Sequence, residues 1–175
     1  RCFAWFSMYE DKPACYLMEL SSRKEVESIR VYTSPTSISF HWKLSLGTIL
    51  YGTIFKQNHF AMEDVLFYQG KSLQNTNTTW REKLDIFQKI NKDIQPGGQI
   101  LFGLPIMKER LDEILNDKTE HYPIFMIHFR KYSQVNYSFS LLYSKIEGQT
   151  ISTSPIIQNN RQIPNSNPNP THNSN

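Results

Sequence analysis

Cysteine is nearly missing from this chain: Cys2 and Cys15 are the only two in 175 residues. They form no C-x-x-C and stand at no zinc spacing from the five histidines, which excludes a disulfide framework and a structural zinc site as organising devices. Two isolated thiols suit a reducing compartment, where they are expected free and buried. A Cys2–Cys15 disulfide is the alternative if their strands pair. Long apolar runs are missing too. None approaches the roughly 20 residues of a membrane-crossing helix, so no membrane partner is expected. A dominant charge is also absent, since nineteen basic against sixteen acidic residues leave a net +3. That balance allows a phosphate-rich partner without demanding one, because nucleic-acid binders usually concentrate their basic residues in a patch.

What is present argues for a folded domain. Hydrophobic residues make up 39% and aromatic residues 13%, enough to bury a core in a chain of this length. Asn77-Thr78-Thr79 and Asn136-Tyr137-Ser138 match the glycosylation sequon and are read as chance matches. The chain starts at Arg1 rather than methionine and is read as part of something longer.

The patterning falls into strands first. Cys2 to Met8 and Ala14 to Leu20 are apolar runs separated by the turn Glu10-Asp11-Lys12-Pro13, and they predict a hairpin near the centre of a sheet. Glu25 to Tyr32 alternates and predicts a strand with one wet face. Thr48 to Phe55 and Phe60 to Tyr68 follow as two adjacent strands. The period then changes. Trp80, Leu84, Phe87, Ile90 and Ile94 recur at helical spacing. Thr79 and Glu82 have the capping-box arrangement, and Pro96-Gly97-Gly98 stops the helix. Gln99 to Ile106 is expected as a strand, Leu111, Ile114 and Leu115 mark a shorter helix, and Tyr122 to Phe129 and Tyr137 to Tyr143 close the fold as strands. The expected class is α+β, with mostly antiparallel sheets and two helices on one face. Residues 149–175 are rich in asparagine and proline and are expected to form a disordered tail behind a domain spanning 1–148.

Two neighbouring segments carry a resemblance. Leu46 to Phe55 contains Tyr51-Gly52-Thr53. Phe60 to Leu73 contains Phe60, Asp64-Val65-Leu66 and Gly70-Lys71-Ser72-Leu73, and Trp80-Arg81-Glu82-Lys83-Leu84 opens the helix. The series resembles the covalent nucleotidyltransferase superfamily, which holds the mRNA capping guanylyltransferases and the ATP-dependent DNA ligases. There an apolar strand ends in Asp-Gly-Glu. It is followed by a Phe-x-x-x-Asp-hydrophobic strand, a Gly-x-x-hydrophobic turn and a helix with an early arginine. The resemblance implies an ATP-grasp-like ligase/capping core. It places Arg1 at the last position of the Lys-x-Asp-Gly-x-Arg motif, so that the nucleophilic lysine would precede this chain. The divergence and the asparagine-, lysine- and isoleucine-rich composition imply a large DNA virus, with a location in the host cytoplasm at a viral factory, or in the virion.

The family's chemistry needs a lysine amine, carboxylates for ribose and a divalent metal, and basic residues on the phosphates. Tyr51 and Thr53 are not ionised at pH 7 and offer magnesium no charged oxygen. The Glu-Gly-hydrophobic strand motif is missing near Tyr122 to Ile127. Lys145 is the nearest substitute for the terminal Lys-x-Lys. No catalytic residue and no metal ligand is therefore assigned, and Mg and GTP enter only if the domain is active. The expected nucleotide-binding set is Arg1, Tyr51, Thr53, Asp64 and Lys145. Arg130, Lys131 and Tyr132 are candidates for RNA contact.

Each candidate has a structural reading beside the functional one. Asp64 next to Glu63 reads as a metal ligand, or as a carboxylate that caps a turn or pairs with Arg81. His128 reads as a satisfied sheet histidine before a base. Arg130 and Lys131 read as a basic strand end, and Phe3, Trp5, Phe6, Trp80 and Phe87 as core. The leading expectation is a catalytically inactive nucleotidyltransferase-like viral domain used in binding or assembly, with other viral proteins as partners. A capping guanylyltransferase subunit and an RNA- or cap-binding module are the alternatives.

Overall fold

The computed structural model describes residues 1–74, 76–115, 124–135 and 138–143. The elements in chain order begin with β1 (Cys2–Tyr9), β2 (Lys12–Leu20), β3 (Val26–Thr33) and β4 (Ser39–Phe40). A short 3-10 helix (Trp42–Leu46) leads to β5 (Thr48–Phe55), β6 (His59–Tyr68) and β7 (Lys71–Ser72). Then come α1 (Trp80–Asp93), β8 (Ile94–Gln95), β9 (Leu101–Gly103), α2 (Leu111–Leu115), β10 (Met126–Arg130) and β11 (Ser138–Leu142). The α+β class therefore holds, with antiparallel pairing dominant.

The main sheet has seven strands in the order β3-β2-β1-β5-β6-β7, with β9 joining β6 in parallel. β1 lies between β2 and β5, so the first hairpin is central as its apolar runs require. One face of the sheet builds the core. Cys2, Ala4 and Phe6 of β1, Cys15 and Leu17 of β2, Leu50 of β5 and Phe60, Met62 and Val65 of β6 are buried there. They meet Leu44 of the 3-10 helix, Phe40 of β4, Phe87 and Ile90 of α1, and Ile100. Phe6 packs edge-on against Phe40 at 5.0 Å between ring centroids.

Helix α1 forms where the sequence places it. Thr79 Oγ1 accepts from the Glu82 amide, and the Glu82 carboxylate accepts from the Thr79 amide at 2.6 Å. This satisfies two orphan donors of the first turn and stabilises the helix by about 1 kcal/mol. Ile94 lies outside the helix, contrary to the periodicity, as the first residue of β8 paired to β4. The strand expected over 99–106 is only Leu101–Gly103. Both shortenings have one cause. Ile94 is taken up by its pairing with Phe40, and β9 pairs only with the first three residues of β6, so distant pairing sets both limits and local pattern does not report it.

Cys2 and Cys15 are both buried and free. Cys2 stands opposite Glu19, and Cys15 opposite Phe6, so the pairing of β1 with β2 does not join them. Burial pushes the Cys2 thiol up to about 12 and raises Cys15 as well.

The opposite face of the sheet corrects the reading of two aromatics as core. Trp5 is 37% exposed, and its ring lies tilted against Tyr16 at 5.3 Å on this open face. Phe3 lies against Tyr51 on the same face, at 5.4 Å.

Candidate functional site

The register of β5 against β6 sets up the site. Tyr51 faces Asp64, and the next residue, Gly52, faces Met62. Glu63 is therefore the extra residue of a β-bulge. A second register shift lies between Ile49 and Leu50, where Leu66 is extra. A bulge re-aims side chains and breaks the alternation. Phe60 and Met62 enter the core at even numbers, and after the bulge Val65 enters at an odd one. Glu63 and Asp64 then both leave the core face, although they are sequential. This shift is invisible in the sequence, where the segment reads as one alternating strand.

Gly52 is required by the same geometry. A Cβ there would lie 2.0 Å from the Ala61 carbonyl oxygen and 2.9 Å from the Phe60 ring. The glycine of the Tyr51-Gly52-Thr53 segment is thus demanded by packing, whatever the site does.

A cleft of about 1060 Å³ opens over this part of the sheet. Thr53 and Glu63 form part of its floor. Trp80 of α1, the 105–111 segment, β10 and the 131–133 turn form its walls, with Phe139 of β11. The β10–β11 hairpin is a separate two-stranded sheet, held by Phe129 stacked on Phe139 at 4.4 Å.

Glu63 at the floor and its neighbour Asp64 outside the lining each have a cation on them. Arg1 donates to Thr53 Oγ1 at 2.7 Å and is paired with Glu63. Thr53 Oγ1 in turn donates to Glu63 at 2.6 Å. Lys83 Nζ lies 2.8 Å from Asp64 Oδ1, and Arg130 is 3.9 Å from the other oxygen. Asp64 therefore pairs with Lys83 and Arg130, and the pairing with Arg81, one of the alternatives the sequence left open, is not formed. The Arg81 amide instead donates to the Tyr132 carbonyl at 3.2 Å, tying the start of α1 to the turn after β10. Among the described residues, no group of three or more His, Cys, Asp or Glu side chains is arranged to hold a metal ion.

Arg130 is not the loose strand-end cation of the sequence reading. Its guanidinium lies over the Trp80 ring at 4.0 Å, and its side chain is 22% exposed. Desolvation lowers its pKa, and Asp64 and Glu63 oppose the shift. His128 shares a 2.7 Å hydrogen bond with Ser140, which agrees with a satisfied sheet histidine. Partial desolvation lowers its pKa, Glu63 works against this, and Arg130 and Arg1 add to it.

The cleft brings together Arg1, Thr53, Arg130, Lys131 and Tyr132 of the expected residues. Tyr51 stays beside the cleft, with its ring 5.9 Å from the Arg1 guanidinium. Asp64 sits behind the wall on Lys83. Lys145 and the segment 116–123 lie outside the described residues, as does the tail. The sequence reading gave no site role to Glu63, Lys83, Lys108 or Arg110. The last two stand on the segment between β9 and α2, where no periodicity marks them.

The lining is cationic and aromatic. Among the described residues, Arg1, Lys108, Arg110, Arg130 and Lys131 line it with Glu63 and Glu109, and Arg1 and Arg130 are themselves on Glu63 and Asp64. Asp112 offsets one of the five through its 2.9 Å pair with Arg110. Phe125 is 70% exposed and Tyr132 55% exposed, so two large rings stand open to a ligand.

No family model, curated protein or solved structure matches this chain.

Proposed function

We propose that this chain is a non-catalytic binding domain on a nucleotidyltransferase-like scaffold, and that its cleft holds a nucleotide or the end of an RNA strand. The observation that carries this reading is the lining: open aromatic rings interleaved with arginine and lysine side chains. Such surfaces stack bases on rings and place cations on phosphates. The order of strands, turn and helix around Tyr51-Gly52-Thr53 supports the scaffold. The capture of Glu63 by Arg1 and of Asp64 by Lys83 supports the absence of nucleotidyl transfer, because neither carboxylate is left to serve a metal. In this reading the domain serves the transcription or capping machinery of a large DNA virus, or its virion.

The test is a titration of the protein with GTP and with a short RNA at low salt, followed by Trp fluorescence. Saturable binding that weakens linearly in log affinity against log salt is expected. Tyr132→Ala should cost about 1–3 kcal/mol if a base stacks on that ring. No binding of either ligand at low salt would remove the reading. Incubation with labelled GTP or ATP and magnesium checks the non-catalytic part, since a denaturation-stable protein adduct would make the chain an enzyme.

A further inference from the structure

A second recess lies at the far end of α1 from the cleft. It holds about 300 Å³ and is lined by His41, Lys43, Tyr68, Lys89, Lys92 and Asp93, with Gln69. The fold builds it from two directions. His41 caps the 3-10 helix through its ring, with Nδ1 accepting from the Lys43 amide at 3.3 Å. The His41 amide donates to the Asp93 carbonyl at 2.8 Å, which fastens this turn to the last residue of α1. Lys43 on one wall is thereby brought to the same recess as Lys89 and Lys92 on the other.

Three ammonium groups and an imidazole thus share a recess with one carboxylate. Among the described residues, none of the three lysines is paired with a carboxylate. Lysines in the last turns of a helix also complement its dipole, which accounts for Lys92 and in part for Lys89. It does not account for Lys43, which belongs to another element. The negative helix end and Asp93 reduce the positive potential of the recess, and the three lysines exceed them.

We infer that this recess is a second phosphate site, which holds the backbone of an RNA strand whose end occupies the cleft. The inference rests on the RNA reading of the cleft. Helix α1 links the two places, with Trp80 at the cleft and Lys92 and Asp93 at the recess. Fourteen residues span about 20 Å of helix axis. Lys89 also lies about half a turn around the helix from Trp80, so that length sets a minimum of about six nucleotides at the ~3.4 Å rise of a stacked strand. Glu82 and Asp85 lie exposed between the ends, so the helix offers two separated cationic stations rather than a continuous basic stripe.

The experiment compares an oligouridylate of about two nucleotides, which reaches the cleft alone, with one of about eight, which reaches both stations. The longer strand should bind at least ~10-fold tighter, equivalent to about 1.4 kcal/mol. The combined variant Lys43→Gln, Lys89→Gln and Lys92→Gln should abolish that gain. It should leave dinucleotide affinity nearly unchanged and lower the denaturation midpoint only by the lost interaction of Lys89 and Lys92 with the helix end, since glutamine is about as good a helix former as lysine. It should also reduce the log-log salt slope for the longer strand by about two, from three lost lysine contacts at roughly 0.7 each. Equal affinity of the two strands, or an unchanged length effect in the variant, overturns the second site and leaves the cleft reading standing. Failure of both strands to bind removes the cleft reading and the second site with it.

Discussion

The Arg130 guanidinium lies 4.0 Å from the centroid of the Trp80 ring and also faces Asp64. One contact therefore joins the β10–β11 hairpin to the start of α1. A lysine at position 130 would keep the charge and lose the planar stack. Arg130→Lys should lower stability by about 1 kcal/mol. It should also shift Trp80 emission, read in a background where Trp5 and Trp42 are replaced by phenylalanine. An unchanged spectrum would show that the ring and the guanidinium are not in contact in solution.

Asp64 is expected to be a structural acid. Its partner Lys83 has a side chain only 12% exposed, so removing the carboxylate strands a poorly solvated cation. Asp64→Asn should cost about 1–3 kcal/mol in urea denaturation. In a double-mutant cycle with Lys83→Met the two changes should be non-additive by at least ~0.5 kcal/mol. Additivity would release Asp64 for another role.

Gly52 and Gly103 make a matched pair. A Cβ at Gly52 would collide with the Ala61 carbonyl, whereas at Gly103 it would meet nothing within 4 Å. Gly52→Ala should lower stability by at least about 3 kcal/mol or prevent folding. Gly103→Ala should stay within about 0.5 kcal/mol of the parent. Thermal melting distinguishes these outcomes directly.

The cap of α1 should be readable in pH. The Thr79 amide and hydroxyl hold the Glu82 pKa below its ordinary value. Its contribution is fully present above the usual carboxylate pKa of about 4.3, and is lost as pH falls through the lower folded-state value. Glu82→Gln should therefore flatten the acid side of the stability profile while leaving helix content at pH 7 nearly unchanged. Thr79→Ala should cost about 1 kcal/mol at neutral pH. A parent profile as flat as that of Glu82→Gln would contradict the capping box.

Much of the scaffold could be read from the chain. The β1–β2 hairpin, the β5–β6 pair and α1 with its cap all rest on short-range patterns: alternation, a turn between apolar runs, and Thr79 three residues before Glu82. The candidate site was only half legible. Arg1, Thr53, Arg130 and Tyr132 were named from motif or residue type, and all four line the cleft. The pairings were not, because a salt bridge such as Lys83 to Asp64 depends on where α1 docks against β6 and leaves no trace in either segment.

Local sequence decided which residues could be strand or helix and which faces were apolar, since those choices depend on neighbours a few positions away. Folding in three dimensions decided the rest. The extra residue Glu63 turned two consecutive acids to the same side of β6, and chain pairing brought Arg1 onto one of them. Closure of the β10–β11 hairpin over the sheet placed Arg130 on Trp80. These events depend on register and docking between distant segments, and there the free energy of one contact is set by all the others around it.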